Sequence, residues 1–112
     1  MDGKKIIAVD FDGTLFTDKY PDIGEPIMQT IQYCKRMAAE GHTLILWTCR
    51  KDWLLLEAVR ACEKYGLQFD YINCNTKEIL EKYNYIDNRK IFAHIYLDDR
   101  SLRPEELKEV ND

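Results

Sequence analysis

Short apolar runs alternate along this chain with longer stretches in which apolar residues recur at helical spacing. The first run, residues 6–9, is continuously apolar and stops abruptly at Asp10, as expected of a strand that is buried on both faces of a parallel sheet. Neighbouring parallel strands must be joined by long crossovers, usually helices, and the intervening stretches have the length and periodicity for them. The sequence therefore predicts an α/β fold, a three-layer α/β/α sandwich in which a mainly parallel sheet lies between helices.

Capping and helix-breaking residues set the predicted boundaries. Pro26 stands where a helix takes its first residue, and Asp52 is a candidate N-cap for a second helix. Gly41 and Gly66 follow the last periodic residues of these two helices. The predicted strands cover residues 4–9, 43–47, 69–73 and 91–97, and the predicted helices cover 26–40, 52–65 and 76–83, with a last short helix from Pro104.

Length and composition limit the class of protein. With 112 residues, 46% of them hydrophobic, the chain can form a core as a single domain over residues 1–112. A net charge of -4 without a run of Lys or Arg disfavours nucleic acid as a partner. The apolar runs are too short to cross a bilayer and no signal-peptide core follows the first residues, so we expect a cytoplasmic protein without membrane association.

The cysteines do not have the spacing of a zinc site. No C-x-x-C pair is present, and the chain has no clustered histidines that would complete a metal-binding set. We therefore expect reduced thiols that serve mostly as small core residues, at positions Cys34, Cys49, Cys62 and Cys74.

Residue types that are common in catalytic and ligand-binding sites follow three of the four predicted strands. They are Asp10 and Asp12 after the first strand, Thr48 and Arg50 after the second, and Asp98 and Asp99 after the fourth. In open parallel sheets ligands bind beyond the carboxyl ends of the strands, so these side chains are expected at one edge. Four carboxylates in one place would repel one another unless a cation neutralised them, and hard oxygen ligands suit Mg²⁺.

Residues 10–14, Asp-Phe-Asp-Gly-Thr, combine two carboxylates and a glycine at a spacing that suits catalysis at phosphorus. Two carboxylates one residue apart can serve a single phosphorus centre, one as nucleophile and one as proton donor, while Gly13 lets the backbone turn tightly under a bound anion. Asp-Gly is also a common turn pair, so a solvated turn after the strand is the alternative interpretation. The functional residue types at the ends of the other strands favour the catalytic interpretation.

The sequence resembles the haloacid dehalogenase superfamily, whose first motif, Asp-x-Asp-Gly-Thr after a buried strand, matches residues 10–14. The second motif, a Ser or Thr at the end of the next strand, matches Thr48, and the fourth, an acidic pair after an apolar strand, matches Asp98 and Asp99. The resemblance covers nearly the whole chain and implies a Rossmann-like sheet.

The resemblance also implies a role for each matching residue. Asp10 would attack the phosphoryl group and form an aspartyl-phosphate, and Asp12 would protonate the leaving group and then activate water. Thr48 would hold a phosphate oxygen. Mg²⁺ would be bound by the Asp10 carboxylate, the Asp12 backbone carbonyl and Asp98, with Asp99 as a further or supporting ligand. The third motif is a lone lysine, for which Lys90 is preferred over Lys77, with Arg89 in the same interval.

An acid at position 12 resembles the phosphatases and phosphotransferases of the superfamily and not its dehalogenases. A cap domain needs about 50 residues or more, and neither interval in which relatives carry one has that length. We therefore expect a member without a cap, in which residues 16–23 form a short flap. The predicted activity is Mg²⁺-dependent phosphomonoester hydrolysis; the alternatives are a phosphotransferase and a non-catalytic module that binds Mg²⁺ and a phosphorylated ligand.

Several features leave the substrate and the assembly open. An uncapped site can accept a phosphate on a small molecule or on a macromolecule, or it can be closed by a second subunit in a homo-oligomer. Aromatic residues near the expected site edge, Phe16, Tyr20, Trp47 and Trp53, suit either substrate stacking or an oligomer interface. Arg50 and Arg100 would either reach a substrate anion or pair with local acids at the surface.

Overall fold

The computed structural model of the protein describes residues 3–73 and 93–98. Their elements, in chain order, are β1 (Ile6–Val9), β2 (Phe16–Lys19), β3 (Asp22–Pro26), α1 (Met28–Ala39), β4 (Thr43–Leu46), α2 (Asp52–Glu63), β5 (Tyr71–Ile72) and β6 (Ile95–Leu97). The helices predicted over 76–83 and from Pro104 lie outside the described residues. No helix in the described part of the chain is long and apolar enough to cross a membrane.

The main sheet is parallel, with the described strands in the order β5-β4-β1-β6. β1 lies in the centre, where Val9 is the register partner of Leu46 on one side and of Leu97 on the other. The predicted α/β fold with a mainly parallel sheet is therefore confirmed. β5 and β6 are shorter than the strands predicted over 69–73 and 91–97.

Both faces of the central strands are buried. Ile7 and Val9 point to one face and Ala8 to the other, and all three side chains are fully excluded from solvent. Ile7 and Val9 belong to a core cluster that includes Ile31 of α1 and Cys62 of α2. Because right-handed crossovers from β1 to β4 and from β4 to β5 run in the same direction, α1 and α2 cover the same face.

A two-stranded antiparallel hairpin, β2–β3, separates β1 from α1. The flap predicted over residues 16–23 is thus a hairpin that extends to Pro26, which pairs with Phe16. The prediction that α1 begins at Pro26 is wrong, because Pro26 ends β3 and Ile27, in an extended conformation, is the N-cap. Gly24 is required within the hairpin, since a Cβ there would overlap the carbonyl oxygen of Thr17.

The start of α2 also differs from the prediction. Lys51, not Asp52, is the N-cap residue, and no side chain caps the helix. Asp52 is the first helical residue, with φ of 51°, in the left-handed region that Asp tolerates better than most residues. Because Asp52 already lies inside the helix, its side chain is one position beyond the place from which an N-cap residue accepts from the free N–H groups of the first turn.

The described cysteines are free thiols, as predicted. Cys34 and Cys62 are buried in the core, whereas Cys49 is exposed. Burial raises the pKa of the Cys34 thiol well above its usual range and raises the pKa of Cys62 to about 12. The two core thiols therefore remain protonated at neutral pH.

Thr30, in the first turn of α1, carries a buried hydroxyl without a hydrogen-bond partner among the described residues. Thr30→Val exchanges this hydroxyl for a methyl group of similar size, so we expect it to raise the free energy of unfolding by about 1 kcal/mol. Urea denaturation monitored by circular dichroism measures the change. Thr30→Ser, which keeps the hydroxyl and loses the methyl group, is the control and is expected to destabilise; a Thr30→Val variant less stable than the parent would contradict the prediction.

Candidate functional site

Three predicted site residues lie together at the carboxyl edge of the sheet. Asp10 follows the central strand β1, Thr48 follows β4 on one side of it, and Asp98 follows β6 on the other. The Asp10 backbone N–H donates to the Leu97 carbonyl oxygen at 2.9 Å, which continues the pairing of β1 and β6 up to the two aspartates. Neighbouring strands lie about 5 Å apart, so Asp10 and Asp98 stand side by side.

A tight turn carries the chain from Asp10 into the hairpin. The Phe11 carbonyl oxygen accepts hydrogen bonds from the backbone N–H groups of Thr14, Leu15 and Phe16, at 3.0–3.2 Å. Gly13 has φ of 87°, a conformation that disfavours other residues, and its N–H donates to the Phe16 carbonyl oxygen at 2.7 Å. The turn fixes the backbone between the two aspartates of the first motif and the hairpin.

Thr48 is held in place from two sides. Its backbone N–H donates to Asn73 Oδ1 at 2.8 Å, and its Oγ1 accepts from the Arg50 backbone N–H at 3.1 Å. Asn73 is positioned in turn by its own N–H, which donates to the Leu46 carbonyl oxygen at 2.8 Å. Because the Thr48 hydroxyl acts as an acceptor here, its proton can be donated to a second group, such as a phosphate oxygen.

The Asp12 carboxylate is paired with Arg50 through a bidentate contact. Arg50 Nε donates to Asp12 Oδ2 at 2.9 Å, and Arg50 Nη2 donates to Asp12 Oδ1 at 2.7 Å. Arg50 is only 1% exposed, so its interpretation as a surface arginine is wrong, although its pairing with a local acid is confirmed. The Asp12 carboxylate therefore has a counter-charge of its own in Arg50, in addition to the cation expected at this edge of the sheet.

Arg50 reaches the hairpin as well. Nη1 donates to the Pro21 carbonyl oxygen at 3.1 Å and Nη2 to the Asp22 carbonyl oxygen at 2.8 Å, while the guanidinium lies 5.0 Å from the ring centre of Phe11 and 5.1 Å from that of Tyr20. The hydrogen bonds to Asp12 raise the pKa of Arg50 above its ordinary value, although burial opposes this. Arg50 is therefore a fully charged link between Asp12 and the hairpin.

The donor set fits Mg²⁺, which is commonly held by one or two carboxylates with water and substrate phosphate. Asp10 and Asp98 supply two adjacent carboxylates, whereas Asp12, with its carboxylate on Arg50, could contribute only its backbone carbonyl group. No cluster of three or more metal-ligating side chains is found among residues 3–73 and 93–98. The remaining predicted site residues, Asp99 and Lys90, lie outside the described residues, as do Lys77, Arg89 and Arg100.

The aromatic residues near the edge have different environments. Phe16 is 2% exposed and stacks on Phe11, and Trp47 packs edge-on against Tyr96 with ring centres 5.7 Å apart. Tyr20 and Trp53, by contrast, are 57% and 64% exposed. Only the latter pair of the four aromatics thus presents a largely open ring to substrate or partner.

The family model of haloacid dehalogenase-like hydrolases matches residues 7–100 of the chain. A solved structure titled as a conserved protein from Bacteroides thetaiotaomicron is similar with a TM-score of 0.76 and 39% sequence identity, over 87% of this chain and 77% of that one. No curated protein matches the chain significantly.

Proposed function

The chain belongs to the haloacid dehalogenase-like hydrolases, and from this we propose that it is a Mg²⁺-dependent phosphatase that hydrolyses phosphomonoesters through an aspartyl-phosphate on Asp10. The observation that carries the proposal is the placement of Asp10 directly after the central strand β1, between Thr48, which follows β4, and Asp98, which follows β6. A nucleophile, a phosphate-binding hydroxyl and a metal-binding carboxylate then surround one reacting phosphorus.

In the first half of the reaction a carboxylate oxygen of Asp10 attacks phosphorus. The new oxygen–phosphorus bond forms as the bond to the leaving group breaks, and the leaving oxygen takes a proton from Asp12, which enters this step as the neutral acid and leaves it as the carboxylate. The Thr48 hydroxyl donates a hydrogen bond to a non-bridging phosphate oxygen and so orients the group for in-line attack.

In the second half Asp12 acts as a base. It takes a proton from a water molecule that attacks the phosphorus of the aspartyl-phosphate. The bond between phosphorus and the Asp10 oxygen breaks, which restores the Asp10 carboxylate and releases inorganic phosphate. Each oxygen of Asp12 has two acceptor positions and the bidentate contact with Arg50 uses one of each, so the others face away from the guanidinium. Asp10, Asp98 and the Asp12 carbonyl group would hold Mg²⁺, which would supply positive charge against the transferring phosphoryl group.

Two further residues have roles in the proposed mechanism. Lys90 would balance the charge of the phosphate and nucleophile, and Asp99 would ligate the metal or support Asp98. The hairpin β2–β3 is too short to be a cap domain, which supports an uncapped site at this point of the chain. Trp53, which is 64% exposed, supports a phosphorylated substrate that offers a surface to stack on.

Phosphate release from an aryl phosphate, with Mg²⁺ or with a chelator, tests the activity. We expect release only with Mg²⁺, and Asp98→Asn is expected to raise the Mg²⁺ concentration for half-maximal rate at least about 10-fold, because a charged ligand becomes neutral. Asp52→Asn, an exposed substitution with the same change in charge, is the control. Release that persists in the chelator, or an unchanged Mg²⁺ requirement in Asp98→Asn, would overturn the metal assignment; saturable Mg²⁺-dependent binding of beryllium fluoride without turnover would identify a binding module.

A further inference from the structure

Arg50 is the one charged side chain that is buried within residues 3–73 and 93–98. Four hydrogen bonds hold its guanidinium, two to the Asp12 carboxylate and two to the backbone carbonyl groups of Pro21 and Asp22. The same guanidinium lies against the rings of Phe11 and Tyr20. One side chain thus contacts both the first motif and the tip of the hairpin.

We propose that Arg50 is a positioning residue that couples the hairpin β2–β3 to the orientation of the Asp12 carboxylate. This inference rests on the proposed function, in which Asp12 transfers the protons. The turn at residues 11–16 fixes the backbone of Asp12, but the direction of its carboxylate is set by the fork of the guanidinium. The guanidinium is oriented in turn by the hairpin carbonyl groups, so the hairpin acts on Asp12 through Arg50.

The geometry requires arginine specifically. A planar guanidinium can present Nε and Nη2 to both oxygens of a carboxylate while Nη1 points elsewhere, whereas a lysine ammonium is a single point of charge on a flexible stem. Arg50→Lys therefore keeps the charge beside Asp12 and loses the fixed orientation. A role as a mere counter-charge would survive this substitution, and a positioning role would not.

Substrates with good and poor leaving groups distinguish a misoriented Asp12 carboxylate from a general loss of activity. A poor leaving group, such as a simple alkoxide, needs a proton from Asp12 when the phosphorus–oxygen bond breaks, whereas 4-nitrophenolate leaves without one. kcat/KM reports the steps up to the first irreversible one, so it measures this protonation before the aspartyl-phosphate is hydrolysed. A misoriented Asp12 lowers kcat/KM selectively for the alkyl phosphate.

The experiment compares kcat/KM for an alkyl phosphate and 4-nitrophenyl phosphate, with Mg²⁺, in the wild type and in Arg50→Lys. We expect Arg50→Lys to lose roughly 100-fold on the alkyl phosphate and less than about 5-fold on the nitrophenyl ester. Lys19→Gln, an exposed substitution within the hairpin, is the control and should leave both values near wild type. Equal losses on the two esters would overturn the positioning role.

A second variant tests the hairpin itself without touching the core. Tyr20 is 57% exposed, and Tyr20→Leu removes its ring from the guanidinium while the backbone carbonyl groups remain. We expect a smaller loss of the same kind, about 5-fold and confined to the alkyl phosphate. An equal loss on both esters, or none on either, would overturn the contribution of the hairpin.

Hydrogen exchange separates failure of this inference from failure of the proposed function. If the wild type releases phosphate from neither ester, the proposed hydrolysis fails, and the coupling is decided by exchange of the backbone amides of residues 16–26. Faster exchange in Arg50→Lys than in Lys19→Gln is the expected result, because the guanidinium anchors the hairpin tip. Equal exchange in the two variants would show that Arg50 does not hold the hairpin.

Discussion

Asp10→Asn is expected to lower phosphate release by at least about 1,000-fold, with folding and stability preserved. The amide has the shape of the carboxylate but cannot form the aspartyl-phosphate, and it removes a charge from the Mg²⁺ site. Initial rates on an aryl phosphate at saturating Mg²⁺ measure the loss, and circular dichroism confirms that the variant is folded.

Asp52→Asn makes the same chemical change at an exposed position beyond the second motif. It is expected to stay within about twofold of the wild type, as is usual for surface substitutions away from the reacting groups. Comparable losses in the two variants would mean that charge near the sheet edge matters and the identity of the nucleophile does not. Residual activity in Asp10→Asn near the wild-type rate would rule out Asp10 as the nucleophile.

Arg50→Met is expected to be the most destabilising of the substitutions considered, by about 2 to 3 kcal/mol. Methionine fills part of the volume but leaves the Asp12 carboxylate, which is 18% exposed, without its counter-charge. The carbonyl groups of Pro21 and Asp22 also lose their donors. Urea denaturation of the two proteins gives the difference in the free energy of unfolding.

Two further variants locate the cause of that loss. Arg36→Met removes an exposed arginine that lies over the ring of Tyr33, and we expect a change of about 0.5 kcal/mol. Asp12→Asn combined with Arg50→Met should cost at least about 1 kcal/mol less than the sum of the single substitutions, because the unpaired charge is then absent. Additive effects, or an Arg50→Met variant as stable as Arg36→Met, would contradict the account of the ion pair.

The parallel sheet could be predicted because its central strands are continuous apolar runs. Asp10 directly follows Ile6–Val9, Thr48 stands two positions after Thr43–Leu46, and glycines mark the ends of both helices, so local signals and tertiary structure agree. The hairpin was harder to locate, because Pro26 satisfies the sequence rules for a helix start and for the end of an edge strand equally well. Pairing of Pro26 with Phe16, which no local pattern indicates, decides between them.

Part of the candidate site also follows from the sequence, and part does not. The positions of Asp10, Thr48 and Asp98 follow from where strands end, which the sequence marks directly. The pairing of Asp12 with Arg50 does not, because burial of Arg50 depends on the hairpin folding back over the second motif. Arg50 there contacts Pro21 and Asp22, which lie 29 and 28 positions before it in the chain. A buried arginine and a surface arginine look the same in sequence, and the available signal was the need of Asp12 for a counter-charge.

The central claim is the covalent intermediate on Asp10, and trapping it is the most direct test. Asp12→Asn, mixed with an aryl phosphate and Mg²⁺, should form the intermediate without needing an acid but hydrolyse it slowly for lack of a base. After acid quenching and proteolysis, mass spectrometry should find the phosphoryl group on Asp10, and none in the Asp10→Asn variant. Phosphate release by the wild type with no phosphoryl group on Asp10 in this trap, or with the group on another residue, would contradict the account.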